Sequence, residues 1–161
     1  MREIVKKVTH EVNGEELTFQ VHKMNALEGS FLLKFVAEKL IPLIDNFQSV
    51  FTDINGDKEE EVTKARTDAI LNVIPKALAS ISKDELIDFE KQCLHRVEMM
   101  MPAGWQQVMV GDDFGVEEVE YDPLLALTLC FDVVMFNFSG FFGGKGWSSL
   151  LNPSNTSKQN A

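Results

Sequence analysis

The residues Arg2–Met24, REIVKKVTHEVNGEELTFQVHKM, carry the pattern of a β-hairpin. Apolar residues lie on both sides of Asn13-Gly14, and the second half alternates apolar and polar residues from Leu17 to Val21. An Asn-Gly pair favours the positive φ angles that a two-residue hairpin turn requires. We therefore predict an N-terminal hairpin over about residues 2–22.

Apolar residues at helical spacing dominate the chain beyond this hairpin. Asn25, Ser82 and Asp122 stand where helix N-caps are expected, and Pro123 suits the first position of the last helix. The run MMMPAGW is interpreted as the end of the helix that begins at Ser82. The predicted helices cover residues 25–42, 43–51, 58–79, 82–101 and 123–138.

These elements predict a mainly α (α+β) fold, with four to five helices and an N-terminal β-hairpin in a single domain. The domain is expected to cover residues 1–146, and a flexible polar tail to cover residues 147–161, because the tail has too few apolar residues to bury. Helical residues should outnumber strand residues by at least about three to one. Outside the hairpin, only the segment QQVMV is considered as a short strand.

The composition excludes some functions and favours others. The net charge is −10 and the longest basic run is Lys6-Lys7, so we expect no nucleic-acid partner. The N-terminus has no apolar segment of the kind found in signal peptides, which predicts a cytoplasmic protein. Cys93 and Cys130 fall in apolar helical patterns and are interpreted as buried free thiols, with a disulfide as the less favoured alternative.

No catalytic or metal-binding pattern stands out in the sequence. Cys93 and His95 are two residues apart on a predicted helix, so they face different directions. Residues 53–57 begin like a calcium loop, but Lys58 and Lys64 stand where such a loop requires Gly and Glu. We therefore expect no cofactor, no metal and no enzymatic activity.

Two acidic features allow more than one interpretation. Six carboxylates lie between Asp112 and Asp122 without a basic residue; a solvated loop is favoured over a site for a cation or a basic partner. Asp132 interrupts the apolar last helix, so it either has a structural partner or lies at an interface. It also argues against a membrane span over Leu124–Phe142, because a central carboxylate costs roughly 2.5–3.5 kcal/mol on insertion. A buried helix that contacts a neighbouring subunit is preferred.

An aromatic arm, from Phe136 to Trp147, covers the end of this helix and the residues after it. Its bulky side chains are too many to bury easily in one small domain, and exposed apolar patches mark interaction sites. We predict partner binding and self-association through the arm and Asp132. The predicted binding residues are Asp132, Phe136, Phe138, Phe141, Phe142 and Trp147.

The order of these parts resembles the tail assembly chaperones of long-tailed bacteriophages. The matching stretches are VHKMNALEGSFLLKFVAEKLIPLI, in which a strand leads at once into a helix, and DPLLALTLCFDVVMFNFSGFF, an apolar helix late in the chain. The resemblance covers roughly residues 15–146.

The resemblance implies a holding function without chemistry. Several copies would bind the tape measure protein in the host cytoplasm and keep it soluble until tail tube subunits displace them. Two other classes stay open on the sequence alone: an adaptor or regulatory protein that binds another helical partner, and an enzyme of unrecognised type.

Overall fold

The computed structural model describes residues 3–43 and 59–142, in which helices pack against one face of an antiparallel sheet. The sheet has the order β1-β2-β3-β4, with strands Val5–Val12, Glu15–His22, Val97–Met101 and Gly104–Gln107. A separate pair consists of β5, Met109–Val110, and β6, Asp113–Phe114. Helices α1 to α5 cover Ala26–Phe35, Glu59–Ser80, Lys83–Leu94, Glu117–Glu120 and Pro123–Phe142. After α1 the chain continues as a π-type turn over Val36–Leu40 and a 3-10 turn over Ile41–Leu43.

The N-terminal hairpin is confirmed. Asn13 and Gly14 have φ angles of 53° and 80°, as a two-residue turn requires. The strands pair in register from Val12 opposite Glu15 to Val5 opposite His22. Leu17, Phe19 and Val21 are buried on one face of β2, so the alternation in the sequence reflects a half-buried strand.

The predicted fold class, mainly α with an isolated hairpin, is wrong. The hairpin is one half of a four-stranded sheet, because β3 pairs antiparallel with β2 and β4 pairs with β3. Helical residues outnumber strand residues by between two and three to one, below the predicted ratio. The described residues therefore form an α+β fold.

The error arose at the end of α3. This helix ends at Leu94, and the residues predicted to continue it form β3, with Val97 and Met99 buried against the core. Val97 follows Cys93 by four residues, so it fits the helical period as well as the strand alternation. The turn from Met101 to Gly104, where Gly104 has a φ of 118°, reverses the chain into β4.

The last helix is longer than predicted. It continues past Phe138 through Ser139 and Gly140 to Phe142. One glycine costs a helix only about 1 kcal/mol relative to alanine, which does not end a helix that packs well over its length. Helix α2 likewise runs through Pro75 from Glu59 to Ser80.

The predicted caps are confirmed. The Asn25 side chain accepts hydrogen bonds from the amides of Leu27 and Glu28, and the Ser82 hydroxyl accepts one from Glu85. Asp122 accepts from the amide of Leu125 at 3.0 Å. These bonds satisfy amides that the first turn of each helix leaves unpaired.

The core lies between the sheet and helices α1, α3 and α5. The residues of α5 that contact it most completely are Leu129, Cys130, Val133 and Val134, each almost fully buried. Cys93 of α3 is buried beside them, and both cysteines are free thiols, as predicted.

Some predictions fall on residues that the structure does not describe. They are the helix over residues 44–51, the first half of the rejected calcium loop at residues 53–58, and the polar tail 147–161 with Trp147. The division into a domain 1–146 and a tail therefore stays a prediction.

Candidate partner-binding surface

The C-terminal half of α5 is held by the connection between β2 and α1. The Lys23 ammonium donates a hydrogen bond to the carbonyl of Phe136 and lies 4.3 Å from the centre of its ring. The amide of Met24 donates to Asn137 Oδ1 at 2.9 Å. Burial lowers the pKa of Lys23, and the nearby Glu3 carboxylate opposes that effect.

Phe136 and Phe138, two of the predicted arm residues, pack against their own domain. Phe138 is buried in the main core, and Phe136 is half-buried beside Lys23. Phe141 and Phe142 belong to the last turn of α5, and Trp147 lies outside the described residues. Partner binding by these residues stays a prediction.

Asp132 has a partner within the chain. One of its carboxylate oxygens lies 2.5 Å from Nε2 of His10 on β1, and both side chains are partly buried. This contact joins the first strand to the middle of α5. Asp132 therefore has a structural partner, which is one of the two roles predicted for it. An additional role at an interface is untested.

A groove of about 560 Å³ opens where α5 approaches the start of α1. Ile4, Met24, Leu33, Asn137 and Phe138 are among the residues that line it. Helix α5 ends at Phe142, about one turn beyond Asn137 and Phe138. The arm therefore leaves the described structure close to this groove.

Two large apolar side chains of α1 are exposed to solvent. Leu27 is 85% exposed and Phe31, one turn later, is 58% exposed. Residues four apart lie on the same side of a helix, so these side chains form one patch, named here the α1 patch. Beside it lies a second cavity of about 300 Å³, lined by Met24, Phe31 and His95 and by the ion pair of Glu28 with Arg96.

The sequence pattern alone did not predict the α1 patch. Leu27, Phe31, Leu32 and Val36 all fit the helical period in the sequence, but only Leu32 and Val36 are buried. The sequence did contain an indication of this patch, since α1 carries apolar residues on two sides. A helix with one buried face needs apolar residues on that face only.

The other polar clusters have structural contacts. His22 pairs with Glu98 across β2 and β3 on the face of the sheet opposite the core. The acidic residues Asp112, Asp113, Glu117, Glu118 and Glu120 are exposed to solvent as expected, but the segment is not one loop, because Asp113 belongs to β6 and Glu117–Glu120 form α4. Within residues 3–43 and 59–142, no group of three or more His, Cys, Asp or Glu side chains is arranged to hold a metal ion.

Burial governs the titration of two groups between α3 and α5. It raises the pKa of Glu90, and it raises the pKa of the Cys130 thiol strongly, with a further contribution from a hydrogen bond with Cys93. A thiol with a raised pKa carries little thiolate at neutral pH and is a poor nucleophile. The two cysteine thiols therefore behave as part of the core.

Comparison with known proteins decides the family. Residues 13–149 match the family model described as phage tail assembly chaperone protein, TAC. The chain belongs to this family. No curated protein and no solved structure matches it. Among the described helices of this tail assembly chaperone, none combines the length and apolar character needed to cross a membrane.

Proposed function

We propose that this tail assembly chaperone binds apolar helical segments of the tape measure protein in several copies and keeps them soluble until the tail tube assembles. The observation that carries the proposal is the α1 patch, in which two large apolar side chains face solvent on a chain of this family. A protein that holds apolar helices needs such a surface before its partner arrives.

The surroundings of the patch support the same function. Its two sides are flanked by the groove of about 560 Å³ and the cavity of about 300 Å³, which are concave surfaces suited to large side chains. We include the aromatic arm from Phe136 to Trp147 in the binding surface, because its first residues form the end of α5 beside the groove. The net charge of −10 would keep the loaded complex dispersed in the host cytoplasm.

The mechanism is reversible holding without chemistry. The partner's apolar residues would be covered by the α1 patch and the arm, and tail tube subunits would displace the chaperone as they polymerise. Tail tube protein is therefore a second expected partner.

Co-expression with the tape measure protein of the same phage tests the proposal. We expect the wild-type chain to bring the tape measure protein into the soluble fraction and to co-purify with it. A variant with Phe141, Phe142 and Trp147 changed to Ser should do so less well. Phe138 is left unchanged because its burial in the core would confuse loss of binding with loss of folding. A tape measure protein that is equally insoluble with and without the wild-type chain would refute the proposal.

A further inference from the structure

Strand β1 forms one edge of the sheet, and its pairing with β2 determines which backbone groups point outward. The carbonyl of Ile4 accepts a hydrogen bond from the amide of Lys23 at 2.8 Å, so even-numbered residues of β1 bond to β2. The amides and carbonyls of Lys7, Thr9 and Glu11 therefore point away from the sheet. Within the described residues, no backbone hydrogen bond uses these outward groups.

We propose that a second copy of this chain pairs with this edge, β1 against β1 and antiparallel, with Thr9 opposite Thr9. Residues that lie opposite each other in an antiparallel pair share a face of the sheet. In this register Lys7 lies opposite Glu11 of the second copy, and the two-fold symmetry repeats the pair. The interface therefore contains two opposite-charge pairs, one on each side of the hydrogen-bonded pair of Thr9 residues.

Neighbouring registers lack this complementarity. If the strands were centred on Val8, Lys7 would lie opposite Thr9 and Lys6 opposite His10. If they were centred on His10, Glu11 would lie opposite Thr9. Of these neighbouring registers only the one centred on Thr9 pairs Lys7 with Glu11, so the charges favour it over them.

The charges also limit which strands can add to this edge. Lysines on an edge strand usually discourage pairing with other chains. A second copy of β1 supplies Glu11 opposite each Lys7, whereas an unrelated strand does not. The contact of Lys7 with the ring of Trp105, at 5.9 Å, lies near the limit of a cation–π interaction.

The pairing would also bring the two α5 helices to the same side of an eight-stranded sheet. Each α5 contacts its own β1 on the core face through Asp132 and His10. The inference does not rest on the proposed function, and β1 lies before residue 13, where the family match begins.

Sedimentation equilibrium of the full chain, with charge variants, tests the register. Lys7→Glu and Glu11→Lys each place like charges opposite one another twice, so each should weaken dimerisation by about tenfold or more. The double variant K7E/E11K exchanges the charges and should restore the wild-type dimerisation constant to within a few-fold. Failure of the double variant to recover, or single variants that dimerise like the wild type, would overturn the register.

Thr9→Pro tests the edge itself. Proline removes an outward amide, which an edge strand tolerates within its own sheet, and blocks pairing at the centre of the dimer. The variant should sediment as a smaller species than the wild type, whereas Thr9→Val, which keeps the amide, should associate normally. If Thr9→Pro does not fold, the charge variants alone decide. A strictly monomeric wild-type chain, or a folded Thr9→Pro variant that associates like the wild type, would overturn the proposal.

Discussion

Replacing both residues of the α1 patch with alanine should separate binding from folding. Leu27 and Phe31 are 85% and 58% exposed, so the folded chain gains little from them. Alanine is also the residue that helices favour most. The free energy of unfolding of the Leu27→Ala/Phe31→Ala variant should stay within about 0.5 kcal/mol of the wild type, as for most surface substitutions.

The expected loss of binding follows from the area that a partner can still cover. Complete burial of a Leu or Phe side chain contributes about 1.5–3 kcal/mol. Scaled by the exposed fractions, the two residues together offer about 2–4 kcal/mol to a partner. At about 1.4 kcal/mol per tenfold change, the variant should bind an apolar helical segment about 30- to 1000-fold more weakly.

The assay is titration of the chaperone against labelled peptides from the apolar helical segments of the tape measure protein. The matched control is Leu71→Ala/Leu78→Ala, which removes two leucines that are 49% and 53% exposed on α2. The control should bind like the wild type. Equal loss in both variants would show that binding follows general apolar exposure, and unchanged binding in the α1 variant would refute the role of the patch.

Three further predictions concern the fold and its titrating groups. Gly115→Ala should destabilise the chain by about 1–3 kcal/mol in denaturant unfolding, because a Cβ there would lie 2.3 Å from the carbonyl oxygen of Gln107; Gly29→Ala, whose Cβ would meet nothing closer than 3.9 Å in a helix, should stabilise it slightly. Burial raises the pKa of Glu90, so the folded state binds more protons there than the unfolded state does. The free energy of unfolding therefore falls as pH rises through the window between the ordinary value of 4.5 and the raised pKa. Glu90→Gln should therefore raise the melting temperature at pH 7 and lose that advantage below the window; an equal advantage at every pH would contradict this cause. Burial raises the pKa of Cys130, so native protein should resist alkylation of its thiols until it unfolds, and rapid reaction in the native state would contradict the buried arrangement.

Local sequence signals predicted the elements whose causes are local. The Asn13-Gly14 turn and the caps at Asn25, Ser82 and Asp122 depend on residues within four positions, and all are confirmed. The pairing of β2 with β3 joins residues almost eighty positions apart, and no local pattern reveals it. Val97 satisfied both the helical period and the strand alternation, and the longer helical run was chosen.

The proposed binding surface was harder to predict for a related reason. Apolar residues in a sequence do not show whether their own chain buries them. Phe138, selected as a partner-binding residue, is mostly covered by its own domain, whereas Leu27 and Phe31, selected as helix positions, face solvent. The α1 patch and the end of α5 border neighbouring concave surfaces, and partner binding by the aromatic arm stays a prediction.

The small size of the α1 patch bears on how such a chaperone would hold a long partner. A gain of about 2–4 kcal/mol is at or below the estimated 4–15 kcal/mol that association costs in lost translational and rotational freedom. One copy bound through the patch alone would therefore dissociate readily. Copies joined at their β1 edges would present two patches together, and the second patch would bind at a raised effective concentration. Weak single contacts strengthened by pairing would hold a tape measure protein and still let tube subunits displace the chaperone one contact at a time.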